Sequence, residues 1–122
     1  MIVKLNDVQN AKECMNKLAN MDLPIAVSYK LSKLVKKLNK EYDDIEEFRV
    51  QLIKKYGEED GEGNVRVNPE SEEIKVFLKE YSEFMDTEVE LDIDKIEVKI
   101  EDLDVKIKSV ELLCMEQFID FV

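Results

Sequence analysis

The longest regular pattern in the chain is a heptad repeat of mainly apolar residues over residues 25–56. Alternating spacings of four and three place these residues on one helical face. The residues on this seam are Leu31, Val35, Leu38, Tyr42, Ile45, Arg49, Leu52 and Tyr56. A helix of this length spans roughly 45 Å, which one short partner helix cannot cover. The pattern therefore predicts a helical hairpin, an oligomer, or both.

A second helical pattern follows a polar segment, residues 57–68, that contains all three glycines. Asn68 is a favourable helix N-cap and Pro69 suits a first helical turn, so the pattern predicts a helix start there. The apolar face of this helix consists of Ile74, Phe77, Leu78, Tyr81, Phe84 and Met85. We expect it to pack antiparallel on the distal half of the long helix, which makes residues 24–86 a helical hairpin.

Hydrophobicity changes to a period of two after residue 87, which is typical of half-buried strands. The alternating apolar residues are Val89, Leu91 and Ile93, then Ile96, Val98 and Ile100, then Val105 and Ile107. Ser109 is expected to cap a last helix that continues to Val122. Residues 87–122 are therefore predicted to form a small sheet and a terminal helix.

The N-terminal segment predicts a short strand at residues 2–5 and then a helix capped by Asn6 or Asp7. Pro24 is expected at the first position of the long helix. A length of 122 residues favours one domain, because two domains of half that size would bury too little surface. The expected fold is α+β, a single domain over residues 1–122 with a long antiparallel helical hairpin, a small antiparallel sheet and a C-terminal helix.

The chain is strongly acidic, with a net charge of −11. This charge argues against nucleic acid or an anionic membrane as a direct partner, because both require clustered cations. Residues 1–40 hold eight lysines and three acids, a net +5, whereas residues 41–122 hold ten basic and 26 acidic residues, a net −16. No apolar run is long enough for a signal core or a membrane span, so we expect a cytoplasmic protein.

The residue types needed for enzymatic chemistry are missing or poorly placed. Histidine is absent, and paired carboxylates such as Asp43 and Asp44 fall on polar helix faces, where solvation explains them. The segment from Asp60 begins like a calcium-binding loop, but Val65 and Ser71 stand where such a loop needs glycine and glutamate. We therefore expect no enzyme, no catalytic residue, no metal site and no cofactor.

The two cysteines, Cys14 and Cys114, are far apart in the sequence and match no metal-binding or redox motif. Both fall within apolar helical patterns. We expect them to be buried free thiols whose redox state does not affect folding.

A few cations are placed to bind an anion in a groove between helices or subunits. Arg49 on the seam is the first, because its planar guanidinium can hold a phosphate at two points. The other candidate cations are Lys33, Lys36 and Lys37 on one helix face, and Arg66 beyond the polar loop. Tyr42 and Tyr56 share the seam with Arg49 and are candidates for stacking on a base.

Each of these features also has a structural interpretation. Arg49 is typical of a polar residue that sets helix register and pairs with a carboxylate of a facing helix. The lysines are typical of a solvated helix face. The alternating acids of residues 86–104 suit the protection of an edge strand, or the imitation of a phosphate backbone that occupies a basic protein.

The chain resembles, over roughly residues 20–122, a family of short uncharacterised phage and prophage proteins of low-GC Gram-positive bacteria. The resemblance rests on KYGE at 55–58, EVEL at 88–91 and VELL at 110–113, together with Asp60, Gly63, Asn64, Phe118 and Ile119. It implies a viral origin and supplies no known catalytic residues. Small phage proteins of this kind either antagonise host defence or help to build the virion.

The functional expectation is a non-enzymatic, phage-encoded binding protein in the host cytoplasm. It would act as a homo-oligomer and antagonise bacterial immunity, either by sequestering an anionic, nucleotide-like signalling molecule or by masking a host immune protein. The alternative is a virion-assembly or tail-associated interaction protein.

Overall fold

A computed structural model describes residues 1–103 and 106–122 of the chain. The elements in these ranges are, in order, β1 (Ile2–Lys4), α1 (Leu5–Ala19), α2 (Ile25–Tyr56), β2 (Glu58–Glu59), β3 (Val65–Arg66), α3 (Glu73–Met85), β4 (Glu88–Glu90), β5 (Ile96–Val98), a turn of 3-10 helix (Ile100–Asp102), α4 (Ser109–Met115) and β6 (Ile119–Phe121). The mixture of helices and short strands confirms the predicted α+β class.

Helix α2 is unbroken over 32 residues, and other helices of the same chain cover its apolar face. Helix α1 packs on the proximal half, where Leu31, Leu34 and Leu38 are buried against Val8 and Met15 of the common core. Distal to these, Ile45 and Leu52 are also buried. The stripe is therefore covered within one chain, and its length is not by itself evidence for an oligomer.

Helix α3 covers the distal half of α2 and runs antiparallel to it. Phe48 stacks on Phe84 with ring centroids 3.9 Å apart. Further along α2, the Tyr56 hydroxyl donates a hydrogen bond to Glu80, which precedes Phe84 in α3. This opposite order of contacts confirms the predicted antiparallel hairpin.

The short strands of the described residues form three separate pairs. β1 pairs antiparallel with β4, and β2 pairs antiparallel with β3. β5 pairs parallel with β6, with Ile96 opposite Ile119, because the chain crosses over between them through α4. Of the third predicted alternating run, Val105 lies outside the described residues and Ile107 is in no strand.

Helices α1 and α4 begin in the same way, one residue or more before the predicted caps. The Lys4 backbone N–H donates to the Asp7 carboxylate, and the Lys108 backbone N–H donates to the Glu111 carboxylate, each at 3.0 Å. Lys4 and Lys108 are thus the N-cap residues, and the predictions of Asn6, Asp7 or Ser109 as caps are wrong. In each case, an acidic residue in the first turn satisfies the cap N–H from within the helix.

The two prolines lie just outside their helices. Pro24 is the N-cap of α2, one position earlier than predicted. The Asn68 side chain accepts the Glu70 backbone N–H at 3.0 Å, which forms a local turn, and α3 begins only at Glu73. The predicted start of α3 is therefore too early, because the asparagine caps a turn.

The C-terminal helix is shorter than the pattern predicts. Helix α4 ends at Met115, and residues 119–121 form strand β6 instead of continuing the helix. The Ile96 backbone N–H donates to the Phe118 carbonyl at 3.0 Å, so pairing with β5 takes over where helical bonds were expected. The short apolar run at residues 118–122 is compatible with a helix or a strand. It forms a strand because it pairs with β5, which is distant in the sequence.

Gly57 ends α2 where the chain turns into the hairpin tip. A side chain there would clash with the Ile53 carbonyl oxygen and would meet the Val65 side chain at 2.9 Å. The tip can therefore close tightly only with glycine at this position.

Leu34→Ala tests the packing of α1 on α2, and the same substitution at Leu78 is its control. Leu34 is fully buried and Leu78 is 55% exposed. We expect Leu34→Ala to lower the free energy of unfolding by about 2–5 kcal/mol, and Leu78→Ala to change it by less than about 0.5 kcal/mol. Urea unfolding followed by circular dichroism measures both. Equal losses would contradict the described packing.

Candidate functional site

The sequence-predicted site residues do not converge on one groove. All but Arg66 lie on α2, where Lys33 and Tyr56 are roughly 35 Å apart along the helix axis. Arg66 lies on β3, beyond the polar tip of the hairpin. These residues therefore do not line one common ligand site.

Arg49 is held by a carboxylate of its own helix. Its Nε donates to Glu46 Oε2 at 3.0 Å, and its Nη2 donates to the other carboxylate oxygen. These hydrogen bonds raise the pKa of Arg49 and lower the pKa of Glu46. The expected pairing with a facing helix is wrong, since Glu46 is one turn earlier on α2. The guanidinium fork that would hold a phosphate is already engaged by this carboxylate.

Tyr42 packs against the core shared by α1 and α2. The ammonium group of Lys12 lies 5.3 Å from its ring centroid. Its hydroxyl is buried and has no hydrogen-bond partner among the described residues. Burial raises the pKa of Tyr42 to about 12. A hydroxyl in this position cannot donate to a ligand on the surface.

Tyr56 joins the two helices of the hairpin near its tip. Its hydroxyl donates to Glu80 Oε1 at 2.7 Å. The Lys55 ammonium lies 3.7 Å from the same carboxylate oxygen. These contacts give Tyr56 a structural role in closing α3 on α2.

Arg66 lines a cavity of about 460 Å³ at the hairpin tip, together with Glu58, Glu59 and Asp60. Three carboxylates against one guanidinium make this cavity unfavourable for an anion. The structure thus places Arg66 in acidic surroundings.

The proximal half of α2 presents cations on the side away from the core. We call this surface the lysine face; it consists of Lys33, Lys36, Lys37 and Lys40 with the aromatic ring of Tyr29. Within residues 1–103 and 106–122, none of these lysines makes an ion pair with a carboxylate. Among the described residues, the lysine face is therefore a cluster of positive charge without a direct ion pair.

Tyr29 is an aromatic residue of this surface that sequence reasoning missed. Its side chain is 61% exposed, and the Lys33 ammonium lies 4.6 Å from its ring centroid. The heptad pattern of α2 did not indicate Tyr29, because this residue lies outside the seam. Its spacing of four from Lys33 is the signal that could have found it.

The charge of α2 reverses directly after the lysine face. Residues 41–47 hold five carboxylates and no basic residue, whereas residues 25–40 hold five lysines and no acid. The lysine face therefore has a sharp distal boundary, and an anion on α2 is favoured only on the proximal side.

Helices α1 and α4 bring the two cysteines together, which sequence separation gave no reason to expect. Both thiols are free and half-buried. Burial raises the pKa of Cys14, and the neighbouring Cys114 adds to this effect. The proximity of the two cysteines depends on the register in which α1 packs against α4. The sequence alone does not specify that register.

An apolar groove of about 620 Å³ lies between α4, β6 and the 3-10 turn. Ile100 and Leu113 line it and are more than half exposed. Val110 and Val122 are exposed at the same end of the chain. This C-terminal groove was not predicted, because its residues were assigned to the buried faces of a longer helix and a strand.

Two further features bear on the kind of site. Across residues 1–103 and 106–122, no three acidic or thiol side chains come together as ligands for a metal ion. In the same residues, none of the helices combines the length and the apolar character that a membrane span requires.

Comparison of the chain with protein-family models, with curated proteins and with solved structures finds no match.

Tyr42→Phe and Tyr56→Phe remove the same atom from different surroundings. Because the Tyr42 hydroxyl is buried without a partner among the described residues, we expect Tyr42→Phe to leave stability unchanged or to raise it by about 1 kcal/mol. Tyr56→Phe loses the hydrogen bond to Glu80 and should lower stability by about 1 kcal/mol. Urea unfolding of the two variants measures the difference.

The pH dependence provides a second readout for Tyr42. Its folded pKa of about 12 lies above the ordinary value of 10.0, so ionisation is disfavoured in the folded state. The contribution of Tyr42 to stability is constant below pH 10 and is lost as the pH rises from 10 towards 12. Tyr42→Phe should therefore show a smaller alkaline loss of stability than the wild type. An identical alkaline loss would contradict the buried hydroxyl.

Proposed function

We propose that the protein is a non-enzymatic binding protein that captures an anionic, nucleotide-like molecule on its lysine face. The observation that carries this proposal is a cluster of lysines without ion-pair partners, among the described residues, on a chain of net charge −11. In such a chain, a local positive surface attracts anions while the rest of the surface repels them.

The composition of the lysine face supports a phosphate-containing ligand with an aromatic base. Lys33, Lys36 and Lys40 can each donate to phosphate oxygens as compact point charges. The exposed ring of Tyr29 offers a surface on which a base can stack. The seam residue Arg49 is less suited to this role, because Glu46 engages its guanidinium.

The biological role that we propose is antagonism of bacterial immunity by a phage-encoded protein in the host cytoplasm. The resemblance to short phage and prophage proteins supports the viral origin. The lysine face would allow the protein to sequester an anionic signalling molecule. If the ligand is instead a protein, the antagonism would consist of masking a host immune protein. The alternative is a virion-assembly or tail-associated protein, which mass spectrometry of purified virions would detect.

Calorimetry against a panel of cyclic nucleotides and ADP-ribose derivatives tests the proposed capture. We expect at least one of them to bind and its affinity to fall with added salt. The triple variant Lys33→Ala, Lys36→Ala, Lys40→Ala should bind about tenfold to hundredfold more weakly, as expected for three exposed ionic contacts. Tyr29→Ala should weaken binding of the nucleotide but not of inorganic phosphate.

A matched control changes the net charge equally at a different surface. Lys54→Ala, Lys75→Ala and Lys79→Ala together remove three exposed lysines from the distal half of the hairpin. Equal weakening in both triple variants would indicate a general charge effect and contradict the lysine face as the site. Loss of binding in Arg49→Ala alone would place the anion on the seam instead. No heat with any ligand, together with a stable complex from host lysate, would make the partner a protein.

We propose further that the protein acts as a homo-oligomer through its C-terminal groove. The groove presents exposed Leu113 and Ile100, and its rim carries charges of both signs in Lys95, Glu116 and Asp120. A symmetric contact between two copies would bury the apolar residues and set Lys95 of each copy against the acids of the other. This surface is separate from the lysine face, so association would leave the ligand site open.

Light scattering at micromolar concentration tests the association. We expect a mass above that of one chain for the wild type and a monomer mass for Leu113→Lys, because the lysine would carry a charge into the apolar contact. Leu78→Lys is the matched control, since Leu78 is 55% exposed on α3, away from the groove. A clean monomer mass for the wild type would contradict the oligomer.

A further inference from the structure

An ion pair marks the register between α1 and α4. Lys17 Nζ lies 3.0 Å from Glu111 Oε2 across the two helices. Cys14 is one turn before Lys17, and Cys114 is one turn after Glu111. In two antiparallel helices, a residue one turn earlier on the first helix faces a residue one turn later on the second. The same register therefore places Cys14 and Cys114 opposite each other on the two helices, and the nearby Cys114 contributes to the raised pKa of Cys14.

The two thiols differ in their surroundings. Cys114 lines an open cavity of about 270 Å³ together with Asp7, Asn10 and Gln117, through which a small oxidant can reach its sulfur. Burial is the main cause that raises the pKa of Cys14, and Cys114 and Glu111 raise it further. The raised pKa makes Cys14 less ready than a free cysteine to react with an oxidant, whereas the cavity gives the oxidant access to Cys114.

We propose that Cys14 and Cys114 form a reversible intramolecular disulfide, which links α4 covalently to α1 when a peroxide oxidises the protein. The Cys114 thiolate attacks one oxygen of hydrogen peroxide, the O–O bond breaks, and the other oxygen leaves as hydroxide, which takes up a proton. The Cys14 thiol then attacks the sulfur of the resulting sulfenic acid; the S–S bond forms, the S–O bond breaks, and the leaving hydroxide takes up the proton of the Cys14 thiol and departs as water. The two thiols lose two electrons, and the peroxide is reduced to two molecules of water.

The disulfide would close a loop that contains most of the chain. Cross-links over loops of about 100 residues restrict the unfolded chain strongly, and the native helices already face each other in the required register. Oxidation should therefore stabilise the fold, although the fold forms with both thiols free. This inference is independent of the proposed ligand and of the oligomer.

Mass spectrometry and thiol titration of the full-length protein test the proposal after treatment with hydrogen peroxide. We expect both titratable thiols to disappear, the monomer mass to fall by two hydrogen atoms, and dithiothreitol to reverse both changes. Thermal unfolding should show a melting temperature about 10 °C higher for the oxidised form. Cys14→Ser and Cys114→Ser are the matched controls; each should lose the mass change and the thermal shift and retain the reduced fold by circular dichroism.

Three results would overturn the proposal. One is oxidised wild-type protein that contains only disulfides between chains. A second is the addition of oxygen to the separate cysteines without loss of two hydrogens. The third is an intramolecular disulfide that lowers the melting temperature, because a bridge between helices already in register should not strain them.

Discussion

The contact between α1 and the proximal half of α2 is the interaction on which the other elements depend. Val8, Ala11, Met15 and Leu18 of α1 are spaced at three and four residues, and all are buried. They meet the leucines of α2 in one core that also contains Val98, Met115 and Phe118. Helix α1 follows directly after β1, and α4 packs on another of its faces. The contact between α1 and α2 therefore brings both ends of the chain next to the start of α2.

The sequence was most informative where a pattern is long and its hydrogen bonds are local. The 32-residue helix α2, its end at Gly57 and its antiparallel partner α3 were all predictable, since periodicity over several turns leaves one interpretation. The C-terminal region was not predictable in the same way. Residues 119–121 become strand β6 only because β5 offers a parallel edge, and nothing local in the sequence specifies that pairing. Short apolar runs take the structure that their distant partner requires.

In the candidate site too, features set by helical periodicity could be predicted, whereas features set by tertiary contacts could not. The heptad seam indicated most of the buried positions of α2, but Leu34 outside the seam is fully buried and the Arg49 side chain on it is 42% exposed. It could not indicate that the Tyr42 hydroxyl is buried without a partner or that Glu46 neutralises Arg49. The lysines were readable from the sequence, because charge clusters on an exposed face depend on helical periodicity alone. The pairing of Cys14 with Cys114 depends on a register between helices that are about 100 residues apart in the sequence.

Helix α4 is the element in which these contacts meet. Its seven residues form about two turns, too few to be stable without tertiary contacts. Met115 fixes one side of it in the core, and Glu111 and Cys114 face α1. Leu113 faces the apolar groove on another side. Helix α4 thus lies between the α1 contact and the groove. The lysine face lies on α2 and shares no residue with either the α1 contact or the groove of α4.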